Sequence, residues 1–287
     1  MKSNPTTRET SRADLTPQRR RRLYASLVRD PRVQSVLGPE LSLSRPATYW
    51  TATQRPAACL ALVAPLMVLY EVGLAWAAGG DASNELRAGA DAWIRVVLGW
   101  AGLRDRWFAP LLLTLVLAAW QAVDRRNWRV RGRWLLGMIG EGCLLGVVLV
   151  GAGRLLDLGF DRVERGAMFL DVETARASAL WLGFLGAGLY EEALFRLALV
   201  PIIYGLARAL YTPKVIAVTL AMTGSGLLFA LAHHVGAPGE AFTWFAFIFR
   251  WLAGVYFAAV FVIRGFGVAV AAHIAYDLLV GGLGWHF

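Results

Sequence analysis

The 287 residues include only two cysteines, two lysines and four histidines, and charged side chains of either sign make up 17% of the chain. Each scarcity removes a class of explanation. Cys59 and Cys143 lie far apart in apolar segments, so neither a disulfide framework nor a thiolate metal site is indicated. No internal repeat, low-complexity tract or second globular domain is visible. The first apolar run begins only near residue 57, too late for a cleavable signal peptide, and the first span reads as an uncleaved anchor. The poverty of charge also argues against a soluble domain, since 57% of the residues are hydrophobic and the mean hydropathy is +0.51.

What the chain has instead is apolar sequence in helix-length runs. The windows near 57–79, 107–123, 134–153, 177–200, 215–235, 241–263 and 266–283 approach the roughly 18 to 25 apolar residues that let a helix cross a bilayer of about 30 Å. The expectation is an all-α polytopic transmembrane helical bundle over 57–287 with about seven spans, six to eight, behind a basic tail over 1–56.

The net charge of +9 is unevenly placed. Residues 1–56 hold eleven Lys or Arg against four acids, and the loop 124–133 holds five Arg against Asp124. Short basic segments beside apolar spans mark the cytoplasmic face, which puts the N-terminus inside and the more balanced segments 80–106 and 154–176 outside. The run Arg19 to Arg22 suits anionic lipid headgroups. No aromatic platform interleaves with it, so nucleic acid is not an expected partner. Residues Arg19 to Leu37 read either as a membrane-surface helix or as disorder. Twenty-seven arginines against two lysines hint at a GC-rich bacterial genome, hence an inner (plasma) membrane location.

Against this background, Glu191 and Glu192 stand together, with Arg196 close behind, in the apolar stretch 177–211. Ionisable groups at membrane depth are costly and mark function unless they serve as buried structural pairs. On a helix Glu192 and Arg196 share a face and can neutralise each other, leaving Glu191 about 100° away. Ala187 and Gly188 in the preceding turn are expected to leave room there for a water or a substrate backbone. His233 lies near the end of one later span, and His273 precedes Asp277 by four residues in the last. His234 and His286 read as interfacial. Arg250, Glu71 and Glu141 are given structural roles, with Glu141, between Gly140 and Gly142, also placed to line a cavity.

A carboxylate base, a histidine within reach and a second pair able to hold an oxyanion are the parts needed to hydrolyse an amide with water. The same Glu191, His233, His273 and Asp277 can also form an N2O2 shell for zinc with a water, although no HExxH helix is present. The order Glu191-Glu192-Ala-Leu-Phe-Arg196, Phe229-Ala-Leu-Ala-His233 and His273-Ile-Ala-Tyr-Asp277 resembles the EExxxR, FxxxH and Hxxx[N/D] motifs of the CAAX-protease and bacteriocin-processing (CPBP, or Abi) intramembrane proteases. Their eukaryotic relative is the CAAX prenyl endopeptidase of Rce1 type. The resemblance covers about 177–283. It implies an intramembrane endopeptidase acting on a peptide or protein substrate at the membrane, with Glu191 and His233 activating water and Glu192 with Arg196 positioning the helix. It further implies that His273 with Asp277 stabilises the oxyanion, with no cofactor, or with zinc in the alternative. An ionised Asp277 cannot donate to an oxyanion as Asn would, so it is expected to orient His273. The competing readings are a non-catalytic membrane peptide-binding or immunity protein and, less well supported for want of an inverted repeat, a proton-coupled transporter.

Overall fold

The computed structural model describes residues 48–78, 87, 89–125, 127–160, 177–235 and 242–282. Expectations for the tail before residue 48, for the segment 161–176 and for His286 lie outside the described residues. Every regular element among the described residues is helical. In chain order they are α1 (Tyr49–Thr53), α2 (Pro56–Ala78), α3 (Gly89–Trp100), α4 (Phe108–Asp124), α5 (Gly132–Asp157) and α6 (Ala177–Gly186). Two π-helical segments follow, π1 (Ala187–Glu191) and π2 (Ala193–Leu199), then α7 (Val200–Ala209), α8 (Lys214–Ala232), α9 (Trp244–Arg264), α10 (Phe266–Asp277) and π3 (Leu278–Gly282).

The predicted spans map onto these elements. Helices α2, α5, α8 and α9 are each long and apolar enough to cross a membrane, and α4 and 266–282 form shorter apolar helices. The remaining predicted span is the run from α6 through α7, residues 177–209, with π geometry at its centre. One element was not anticipated. Helix α3 lies within the segment read as a loop; its 12 residues are too few to cross, and its Asp91 and Arg95 give it a charged face.

Helix α10 is the central strut. Nine of its 12 residues are buried and it packs on α2, α5, α9 and π1, as expected for a helix that is apolar all round. Close approach to α5 depends on small residues: a Cβ at Gly142 would come within 2.8 Å of the Ala271 carbonyl carbon, and one at Gly146 within 2.9 Å of the Tyr276 nitrogen. Helices α8 and α9 cross just as closely, since a Cβ at Gly226 would lie 2.8 Å from the Val255 nitrogen. Between α9 and α10 the chain reverses at Gly265, whose φ of +93° an L side chain rarely adopts.

Two ionic clasps hold opposite ends of α2. Near its C-terminal end Glu71 accepts from Arg87 (3.1 Å) and Arg95 (2.7 Å), and both arginines also reach Asp91 at 2.7 Å. Two cations face two anions, so the buried cluster is neutral. Burial opposes the charge on Arg87, but hydrogen bonds to Glu71 and Asp91 outweigh it and raise its pKa. Before the N-terminal end of α2, Arg264 pairs with Glu141, donates to Thr53 Oγ1 (3.1 Å) and lies 3.9 Å over the Trp50 ring, while the Tyr49 hydroxyl donates to Glu141 (2.7 Å). Glu141 therefore belongs to this clasp and not to a cavity lining: Arg264, brought back by the Gly265 turn, takes up its carboxylate.

Candidate active site

The run 177–209 is held from two sides, and this fixes where its carboxylates point. On one side a Cβ at Gly186 would meet the Tyr70 ring at 2.6 Å, and the Tyr190 hydroxyl donates to Glu71 (3.1 Å). On the other, Gly188 packs on α10, with Ile274 N 3.1 Å from its Cβ position. Gly188 thus serves helix packing against α10, and not the space for water or substrate expected beside it. A π segment, with i→i+5 hydrogen bonds, turns its side chains differently from an α-helix and occurs often at functional sites.

Glu191, His233 and His273 converge. Glu191 Oε2 lies 3.9 Å from His233 Nε2 and 3.8 Å from His273 Nε2. Those separations are too long for direct hydrogen bonds and suit one water held among the three groups. Asp277 Oδ2 stands 3.7 Å from the same His273 Nε2. All four sequence-predicted residues therefore share one site.

His273 has a carboxylate beside each ring nitrogen, Glu192 at Nδ1 and Asp277 near Nε2. His273 Nδ1 lies 2.8 Å from Glu192 Oε1, a hydrogen-bonding distance, and Asp277 is on the Nε2 side, as Glu191 is. The reason is geometric: with Glu192 already against Nδ1, only the other ring nitrogen is left for a residue one turn along α10. Glu192 also pairs with Arg196 (Nη1 to Oε1, 3.2 Å), and both side chains are completely buried. Arg196 Nη2 donates to the Gly254 carbonyl (3.3 Å), and its guanidinium lies 4.4 Å over the Phe229 ring. For His233 the orienting partner is the backbone: Nδ1 lies 2.8 Å from the Phe229 carbonyl, which can only accept, so Nδ1 carries a proton.

Several contributors were missed by sequence reasoning. Phe257 stacks on His273 (4.5 Å, 13°) from α9, and Ser225 Oγ donates to the Phe195 carbonyl (2.5 Å). Neither residue lies in a motif and neither contact is local, so no spacing rule reveals them. Arg250, on α9 two turns before Phe257, is half-buried. His234 sits in an aromatic cluster 5.2 Å from Phe242 and 6.2 Å from Phe247. Behind the π segments, α3, α4 and the Tyr190, Ala193, Leu194 and Leu197 side chains enclose an apolar slot of about 360 Å³.

With that geometry in place, one family comparison bears on the second half of the chain. Residues 174–279 match the Rce1-like family, the type II CAAX prenyl endopeptidases. No curated protein and no solved structure matches the chain. The Rce1-like segment contains Glu191, Glu192, Arg196, His233, His273 and Asp277, and it ends just before π3 finishes. The match and the apolar helices support an integral membrane protein and, in general terms, an intramembrane endopeptidase of CAAX type that acts on peptide substrates.

Proposed function

We propose that the protein hydrolyses a peptide bond within the membrane by a metal-free mechanism in which Glu191 is the general base. One observation carries this reading: a single carboxylate oxygen of Glu191 lies within 3.9 Å of two histidine Nε2 atoms, leaving room between them for a water. Glu191 takes a proton from that water while neutral His233, whose Nδ1 proton is held by the Phe229 carbonyl, accepts the second water hydrogen at Nε2. The water oxygen bonds to the scissile carbonyl carbon and the carbonyl π pair moves to its oxygen. His273 stabilises that oxyanion from Nε2. To donate there, it carries protons on both ring nitrogens, a charge that Glu192 and Asp277 offset from either side. Collapse expels the amine, which takes back the proton from Glu191.

Zinc is the second reading, favoured by one feature: a carboxylate on the far nitrogen of a histidine, as Glu192 is on His273, also orients metal ligands. In that case Glu191, His233, His273 and Asp277 would hold the ion, which would supply Lewis acidity and an acidified water. The apolar slot behind Leu194 offers room for a hydrocarbon chain, in keeping with a lipidated substrate. The location that fits the charge pattern is a bacterial plasma membrane with the N-terminus in the cytoplasm.

The test is cleavage of donor–quencher peptides, with and without a prenylated cysteine, by purified protein in nanodiscs, with metal content measured on the same sample. Glu191→Gln is expected to lower kcat by about 10²- to 10⁴-fold, the usual scale for loss of a general base. Excess chelator is expected to leave the wild type active. Wild-type cleavage rates in Glu191→Gln would refute the role of Glu191, and activity that tracks stoichiometric zinc would replace the mechanism with the metal one. Binding of peptides without any cleavage would favour a non-catalytic peptide-binding protein.

A further inference from the structure

Access to the motif residues differs between the two ends of the bundle. From Glu191 towards Ala209 the next ionisable groups are Glu192 and Arg196, neither with any exposed side-chain area, and the surrounding Phe195, Phe229, Phe257 and Val200 are buried. That side is closed. In contrast, the Glu191, Asp277 and His233 side chains keep 13%, 18% and 20% of their area exposed. His233 is the first residue past α8, Val235 beyond it is exposed, and Asp277 is the last residue of α10. The open side is thus the end of the bundle at which α8 finishes, α10 finishes and α9 begins.

The opposite end is the basic one. It carries the loop 124–133 with its five arginines, Arg208 and Lys214 between α7 and α8, and Arg264 at the end of α9. The chain enters α2 at this end, with Arg55 just before the helix. In sequence, the segments 80–106 and 154–176 that join helices at the open end hold eight arginines, against nineteen Lys or Arg in 1–56, in 124–133 and at positions Arg208, Lys214 and Arg264. Basic residues in short loops stay on the cytoplasmic face during insertion, whereas acids have little influence.

We propose that the catalytic cavity opens to the extracytoplasmic side, so that the substrate is a peptide segment anchored in, or presented from, the outer leaflet and not a chain terminus on the cytoplasmic face. The word substrate rests on the endopeptidase reading; the direction of opening rests only on charge and burial. The buried Glu192–Arg196 pair then closes the cytoplasmic side of the cavity, and a peptide reaches Glu191 past His233 and Asp277.

The experiment is thiol labelling of the full-length chain in intact bacterial cells with a membrane-impermeant maleimide. The background is Cys143→Ala, which leaves only buried Cys59. Val235→Cys reports the open end, Leu103→Cys gives a second reporter on the α3–α4 loop at that end, and Asn127→Cys reports the basic end; all three positions are exposed. The expected result is a label mass shift for the first two in intact cells, and for Asn127→Cys only after permeabilisation. The reverse pattern overturns the proposal. Peptide cleavage is scored on the same membranes with an unmodified peptide: its complete absence would defeat the endopeptidase reading, while the labelling still decides the direction of opening.

Discussion

At the residue scale, Arg196 bears the heaviest structural demand. It is wholly buried, pairs with Glu192, donates to Gly254 and lies against Phe229. Removing one partner of a buried ion pair leaves the other charge uncompensated, at a cost of about 3–5 kcal/mol. Arg196→Met is therefore expected to lower the thermal unfolding midpoint well below that of the wild type, and adding Glu192→Gln to recover part of the loss. An unchanged midpoint would show that His273 alone can hold the Glu192 charge. This pair was legible in the sequence because it is local: four residues along one helix place side chains together almost regardless of the rest of the fold. The hydrogen bond between Glu192 and His273 was not, because 81 residues separate them and only the packing of α10 beside π1 brings them into contact.

At the element scale, spans were readable and their deformations were not. Apolar length alone locates α2, α5, α8 and α9, since a helix is the form that satisfies its own backbone in lipid. Composition says nothing of where i→i+4 bonding gives way to i→i+5, so the π segments around the glutamate pair left no readable trace. Glycine shows the same limit. Gly140 and Gly142 look equivalent in sequence, yet a Cβ on Gly140 meets nothing within 4 Å whereas one on Gly142 strikes the backbone of α10. Gly142→Val is expected to cost about 1–3 kcal/mol through overpacking and to reduce activity by displacing His273, while Gly140→Val leaves both near wild type. Thermal unfolding and peptide cleavage on the two variants check this, and equal losses would refute the packing argument.

At the scale of the whole molecule, stability should depend on pH through the clasp at the basic end. Burial first, and then the hydrogen bond to Glu141, push the Tyr49 hydroxyl from 10.0 up to about 12. Because the folded value exceeds the unfolded one, the contribution is fully present below pH 10 and is lost as pH rises towards 12. Over that window the unfolded chain has released a proton that the folded chain retains. Tyr49→Phe is expected to flatten the fall in thermal midpoint between pH 10 and 12, and an identical profile would mean that Tyr49 is not linked to folding. The two clasps also separate what is recognisable from what is self-sufficient. The partners of Arg264 are Glu141, Tyr49, Trp50 and Thr53, and that of the Tyr190 hydroxyl is Glu71, all of them before residue 174. A fragment cut at the family boundary would keep every motif side chain and yet leave the Arg264 guanidinium and the Tyr190 phenol without these partners. The catalytic half is thus not a portable module, and grafting it elsewhere would require transplanting the counter-charges of the region that precedes the Rce1-like match.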